Sequence, residues 1–596
     1  MAISLPYLRA SGSLALTFPG ADLVGDRYWV VAPQIWQDTK PELPPSNEDL
    51  SPLGQRYGQL YKRQLHLPRV YDVLSLPEGE ILLLDNIPIT DKGEILPALS
   101  SVWETASPLQ QLNWLWQMAD LWGDLVTAEM ATSLGLLENI RVDGWRIRLM
   151  ELLTDPSDSP ASLSMLVTVW RSLLPQASPR LQEPLTEIIE SLNEPSITLA
   201  EVLPSLNQLL LEQSGQQHLQ MAIASATDKG EHPTVNQDAY YPTAADLATP
   251  PSATLALSDH LLMVCDGVEG HGGGEIASQL AIQSLKLQLT GFFQGLFEAD
   301  EILPPEVIQR QLAAYIRITN NLIAERNDQE GRTGGDRMAT TLTLALQIPQ
   351  RLQGDKHSHE LYIAQVGDSR AYWMTKDQCL CLTVDDDVLS REVLAGRTLY
   401  RQGLQREDHM ALTQALGVKP GDRLQPVIRR FVFAEDGVLV VCSDGLSDNH
   451  FLDKHWQTFA PVLLLGQLPP SAVLQALMNQ AIAKNLDDNI TAVVAFYRFS
   501  ADILAQTEDL ETVLPPGDFF SDELPPADEM AVDPTTVALD AAEEESGFPV
   551  VVIIIGLVVT LGMLALGALG INWLLNRSTP WQPTPPSQEQ PNPGGG

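Results

Sequence analysis

The chain has 596 residues, room for about four domain-sized units at most, and carries 36 Lys+Arg against 76 Asp+Glu, a formal net charge of -40. A general basic surface for nucleic acid is excluded, because phosphate backbones need neutralising cations. Hydrophobic residues at 44% and charged residues at 19% speak for folded domains, and four Cys exclude a disulfide scaffold. Cys265 and Cys442 end apolar runs and read as buried, reduced thiols. Cys379 and Cys381 complete the set.

The first twenty residues lack a basic segment leading into a long apolar core, so no secretory signal is read there. Residues 1–215 form the first unit and hold eight of the twelve Trp. Arg27 to Leu84 reads as strands. Residues 107–130 have apolar positions at helical spacing behind Ser107 as N-cap. Residues 161–213 read as helices broken by prolines, and the unit as a whole as a mainly helical regulatory domain that binds a regulator. The order of β-rich piece before helical piece, with Glu138-Asn139-Ile140 inside LLENIRVDGWRIRLMELL, resembles a degenerate protein-kinase-like fold. Leu134 stands where a kinase has its catalytic Asp, and Glu151 where it has its metal-binding Asp. A kinase needs both acids, so no phosphoryl transfer is expected from this unit. Trp114, Trp116 and Trp122 read as core.

Residues 216–500 change character. LLMVCDG ends in Asp266, LYIAQVGDSR contains Asp368, VLVVCSDG ends in Asp444, and Asp488 precedes ITAVVAFY. Short apolar runs bounded by Gly and Asp are buried strands. Four strand ends bring four carboxylates to one edge, where they would repel each other unless a divalent cation neutralised them. Oxygen ligands suit Mg²⁺ or Mn²⁺ rather than Zn²⁺.

The segments DKGEHPTVNQDA, CDGVEGHGGGEIAS, MATTLTLAL, VGDSRAY, LTQALG, CSDGLSD and DDNITAVV follow the order seen in the metal-dependent type 2C (PPM) serine/threonine protein phosphatases. The resemblance covers roughly residues 218–498. It implies an α+β fold, a central β-sandwich flanked by helices, and hydrolysis of phosphoserine or phosphothreonine in proteins by a water shared between two metal ions. It assigns Asp238 and Asp266 to the metal pair, with Asp266 bridging and the Gly267 carbonyl contributing. Asp444 and Asp488 complete the pair, and Asp368 with Asp448 match a third, weaker ion. His271 matches a position where it either protonates the leaving group or makes a structural hydrogen bond. Gly272, Gly273 and Gly274 suit a tight turn into the first long helix, and Thr340 and Thr341 suit a strand. Residues 383–412 are expected as a mobile flap beside the site that selects substrate. Departures are Pro233 in place of the phosphate-binding Arg, Gln237 in place of an acid, Glu269 in the metal loop and Ala339 before Thr340. A cation from the flap is expected to stand in for the missing Arg. The alternatives are a phosphatase-like binding or scaffold module that does not turn over, favoured by Pro233 and Gln237, and a chain whose N-terminal unit does the work.

Residues 501–546 hold fourteen acids with no Lys or Arg after position 501, interrupted by prolines, and read as an extended acidic linker. Residues 547–575 include an uncharged run from Gly547 to Ile571, long enough for one transmembrane helix, with Trp573 at its end. Residues 576–596 are a Pro-rich tail. The expected arrangement is a single-pass membrane protein with its phosphatase domain in the cytoplasm.

Overall fold

The computed structural model describes residues 5–501, except 46–49, 159–160, 195, 249–255, 269–271, 299–300, 355 and 485–486. The acidic linker, the apolar run and the tail lie outside the described residues, as do Glu269 and His271. Among the described residues, no helix is long and apolar enough to cross a membrane.

The N-terminal unit is more mixed than a mainly helical domain. Strands β1 (Tyr7–Ser11), β2 (Leu23–Val24), β3 (Tyr28–Ala32), β4 (Ile35–Asp38), β5 (Arg69–Leu76) and β6 (Gly79–Asp85) form an antiparallel sheet in the order β2-β3-β4-β1-β6-β5. Helix α1 (Pro52–Gln59) crosses between β4 and β5. Helix α2 (Pro108–Thr127) starts where its sequence says it should. Ser107 accepts from the Gln110 amide at 3.2 Å, and the Gln110 side chain accepts from the Ser107 amide at 3.0 Å, closing a capping box. The hairpin β7 (Ile140–Asp143) and β8 (Arg146–Leu149) follows. Helices α3 (Leu163–Leu173), α4 (Pro179–Leu192) and α5 (Leu199–Ser214) complete the unit. Prolines do not break the last two as expected. Pro184 and Pro204 lie inside them, each costing one backbone bond near the helix start while Leu181, Leu185, Ile188 and Leu206 stay buried.

Residues from 217 onward build two five-stranded antiparallel sheets. One has the order β10-β11-β12-β13-β16: Ala239–Tyr241, Leu261–Cys265, Leu342–Ile348, Glu360–Val366 and Val427–Phe431. The other has the order β15-β14-β17-β18-β9: Cys379–Cys381, Arg370–Met374, Gly437–Cys442, Ile490–Ala501 and Gln217–Asp228. Side chains alternate across a strand, so each strand feeds two cores. Leu262 and Val264 meet Leu439, Val441 and Val493 between the sheets. Leu261, Met263 and Cys265 point the other way, onto α6 (Gly274–Glu298) and α7 (Pro305–Gln329). Val438, Val440 and Cys442 likewise meet Leu474 and Leu477 of α9 (Pro470–Ile482), while α8 (Val388–Leu394) lies in the segment expected as the flap. The result is a helix–sheet–sheet–helix sandwich. Burial on both faces is why the strands read as unbroken apolar runs. Cys265 and Cys442 are free and fully buried, as expected.

Candidate metal centre

The strand pairings gather the predicted carboxylates. Ala239 pairs with Cys265, so Asp238 and Asp266 leave adjacent antiparallel strands at one end. Arg370 pairs with Cys442, and Cys442 with Ala492, which brings Asp368, Asp444 and Asp488 to the same end from β13–β14, β17 and β18. Asp448 closes the short helix Asp444–Ser447.

Small polar groups fix this edge. Ser443 Oγ donates to Asp238 Oδ2 at 2.9 Å and takes the Thr491 amide at 3.0 Å. Thr341 Oγ1 accepts from the Asp266 amide at 3.0 Å, and Thr340 Oγ1 donates to the Asp266 carbonyl at 2.8 Å. Both threonines precede β12 rather than lie in it, and Thr340 makes isolated bridges to Gly267 and Leu416. Asn489 Nδ2 donates to the Lys229 and Val235 carbonyls, and its Oδ1 accepts the Gln237 amide at 2.7 Å, so the loop before Asp238 is strung on β18. Gly273 takes φ +85° at the turn into α6, where a β-carbon would crowd Met338. Ser443 and Asn489 were missed in the sequence; their proximity to Asp444 and Asp488 was the available signal.

Electrostatics show what the edge lacks. Burial, only partly offset by hydrogen bonds from Thr491 and Ser443, and the neighbouring Asp444 push the Asp238 carboxyl up to about 6. Burial with Asp238 and Asp444 alongside pushes Asp266 well above the usual carboxylate range, and burial with Asp444 and Asp385 does the same to Asp368. Asp448 is raised to about 6 by burial and Asp444. Asp238 Oδ1, Asp444 Oδ1 and Gln237 Oε1 are buried without a hydrogen-bond partner. Among the described residues no three His, Cys, Asp or Glu side chains stand together in an arrangement that could hold a metal ion as they are placed. Crowded acids, orphaned oxygens and an all-oxygen donor set fit one or more hard divalent cations that keep several waters, the habit of Mg²⁺ and Mn²⁺.

A pH dependence follows. The unfolded chain titrates these acids near 3.8, whereas the folded, metal-free chain holds their protons to higher pH. Stability present at low pH is therefore lost as pH rises through about 6. Mn²⁺ is therefore expected to raise the melting temperature more at about pH 7.5 than at about pH 5, while burial of His66, His260 and His359, which holds their imidazoles below the usual range, works in the opposite direction on the metal-free protein. Calorimetry at both pH values with and without Mn²⁺ checks this; a rise on adding Mn²⁺ that is no larger at the higher pH contradicts it.

No family model matches the chain. It is 27% identical over 277 residues to the serine/threonine protein phosphatase PstP of Mycobacterium tuberculosis (strain H37Rv), covering 46% of this chain and 45% of PstP. It is 27% identical over 188 residues to the serine/threonine phosphatase stp of Listeria innocua serovar 6a, covering 32% of this chain and 67% of stp. The chain thus spans about half the length of PstP. A solved structure, the catalytic domain of PstP in complex with two manganese ions, aligns with a TM-score of 0.33 at 26% identity, covering 47% of this chain and 99% of that one.

The homologues of this chain are serine/threonine protein phosphatases, and the resemblance to the type 2C (PPM) family carried by its motifs is borne out.

Proposed function

We propose that residues 217–501 hydrolyse phosphoserine or phosphothreonine in proteins, with Asp238, Asp266, Asp444 and Asp488 holding two Mn²⁺ or Mg²⁺ ions and Asp368 with Asp448 a third. The observation that carries this is the meeting of these carboxylates at one end of the sandwich with Asp238 and Asp444 oxygens unpartnered. Such ions, when bound, supply an activated water and offset charge on the phosphoryl oxygens. The residues of the chain do the rest. Ser443 and the two threonines hold Asp238 and Asp266 in place. Gln237, in place of an acid, presents a buried carbonyl oxygen beside Gly267 and Gly274 that can accept a hydrogen bond from water.

The missing phosphate-binding Arg has a candidate substitute outside the flap. Arg391 and Arg397 pair with Glu392, Arg406 pairs with Asp408, and Arg401 donates to carbonyls of the N-terminal unit. The Lys229 ammonium instead bonds the Pro233 carbonyl, within the loop that leads to Asp238. We assign Lys229 the phosphate contact. Lys229→Met is expected to raise KM for a phosphopeptide about tenfold, the loss of one charged hydrogen bond, with kcat nearly unchanged. An unaltered KM removes Lys229 from the site. The overall test is Mn²⁺-dependent release of phosphate from a phosphothreonine peptide by the full chain; a folded, Mn²⁺-binding protein without turnover would instead favour the binding-module reading.

The N-terminal unit is proposed to be kinase-like without catalysis. Glu151, at the position of a kinase metal acid, is tied to Arg9 at 2.7 Å and Ser11 at 2.6 Å, and Asn139 spends its amide on the Ser133 and Glu151 carbonyls. We further propose that residues 547–575 anchor the chain in a membrane with the phosphatase domain in the cytoplasm. Full-length protein is then expected to stay with membranes through carbonate extraction; its release into the soluble fraction would refute the anchor.

A further inference from the structure

The segment 383–412, expected as a mobile flap, is held on its outer side by the N-terminal unit. Tyr61 is buried with Val384, Leu389 and Val393 in a small cluster of its own. Its ring stacks on Tyr400 with centroids 5.9 Å apart. Gln64 Nε2 donates to the Thr383 carbonyl at 3.2 Å. From the other end, Arg401 donates to the Pro41 and Leu43 carbonyls at 2.6 and 2.9 Å and lies over the Tyr71 ring at 4.0 Å. Helix α1 approaches α8 so closely that a β-carbon on Gly58 would lie 2.6 Å from the Val393 carbonyl oxygen. Such an approach is open only to glycine.

The base of the same segment reaches the metal edge. The Gly367 amide donates to Asp386 Oδ2 at 3.2 Å, the Asp386 amide to the Gly367 carbonyl at 2.9 Å, and Arg370 pairs with Asp385 at 2.7 Å. Gly367 and Arg370 flank Asp368-Ser369. Between the segment and the metal edge lies a cavity of about 510 Å³. Its lining includes Tyr61, Gln64, Leu404 and Met410, together with Arg370 and the candidate metal acid Asp448. Leu404 and Met410 are 42% and 54% exposed, an apolar rim beside the site where phosphate would be cleaved. The volume suits a few residues of peptide and exceeds what a phosphate group needs.

We propose that the N-terminal unit is a built-in specificity element. By gripping residues 383–412, chiefly through Tyr61, it fixes the far wall of a groove that takes the polypeptide flanking the phosphorylated residue. The inference rests on the phosphatase reading above. Tyr61 lines this groove itself and also positions Leu389, Val393 and Tyr400 in the segment it grips.

The test uses the full-length protein with Mn²⁺ and two substrates, a phosphothreonine peptide and p-nitrophenyl phosphate, which has no flanking chain. Tyr61→Ala is expected to lower the ratio of kcat/KM for the peptide to that for the small ester by at least about fivefold, with the loss carried by KM for the peptide. Tyr61→Phe keeps the stacking and packing surface and is expected to retain the wild-type ratio. Should Tyr61→Ala lose its folded circular dichroism, Arg401→Met tests the same grip from the other end with the same readout. An unaltered ratio, or an equal loss on both substrates, overturns the inference while wild-type hydrolysis leaves the phosphatase reading standing. Failure of the wild type to hydrolyse either substrate removes that reading and this one with it.

Discussion

Asp266→Asn and Asp444→Asn are each expected to abolish Mn²⁺-dependent hydrolysis to below about 1% of wild type while leaving the sandwich folded. Each substitution keeps the shape and removes one charge from an edge that is short of neutralising partners. Losing a metal ligand forfeits several kcal/mol of charge stabilisation at the phosphoryl group, and about 2.7 kcal/mol already amounts to a hundredfold in rate. The fold should survive, because burial and mutual repulsion make Asp266 a cost to the metal-free protein. A sharper signature is a melting point for the metal-free variant equal to or above that of metal-free wild type, together with loss of the rise on adding Mn²⁺. Wild-type turnover in either variant would dismantle the assignment of this edge.

Trp373→Ala is expected to be the most damaging single core change, about 3–5 kcal/mol by the usual cost of truncating a buried Trp. Trp373 is fully buried between the two sheets. Its ring lies flat on Phe433 at 3.8 Å between centroids and meets Tyr497 edge-on at 5.3 Å. It also fills the space that Gly437 leaves by having no side chain, so Gly437→Ala should destabilise in the same direction. Urea midpoints read both changes; a Trp373→Ala midpoint within error of wild type would mean the sheets close without it.

The sandwich was legible because its physics is local. A strand buried on both faces must be apolar throughout, and an acid at its end must sit where that run stops, so VLVVCSDG and LLMVCDG announce both the strand and the candidate ligand. The partners of those acids were not legible. Ser443, Thr341 and Asn489 act through pairings between strands far apart in sequence, and Ser or Asn beside Asp looks like an ordinary turn. The N-terminal unit was read with too little sheet, since β2 has two residues and β4 four, too short to show alternation. The grip on residues 383–412 was invisible for a similar reason. It is made by Gly58, three tyrosines, Gln64, Arg401 and backbone carbonyls, none of which carries a sequence signature.

Strand β18 is made last in the described chain, yet it lies inside its sheet, between β17 and β9. Its residues 490–501 pair with residues 228–217, so the first strand of the sandwich waits for the final one. During synthesis β9 emerges with no partner, and Asp488, the last acid of the metal edge, arrives immediately before the strand that closes the fold. Such long-range pairing is slow and leaves apolar strands exposed in the interim. Chains cut short before position 490 should therefore accumulate as aggregates or as targets of proteolysis rather than as weaker enzymes, so this half of the molecule is either finished and competent or not folded at all.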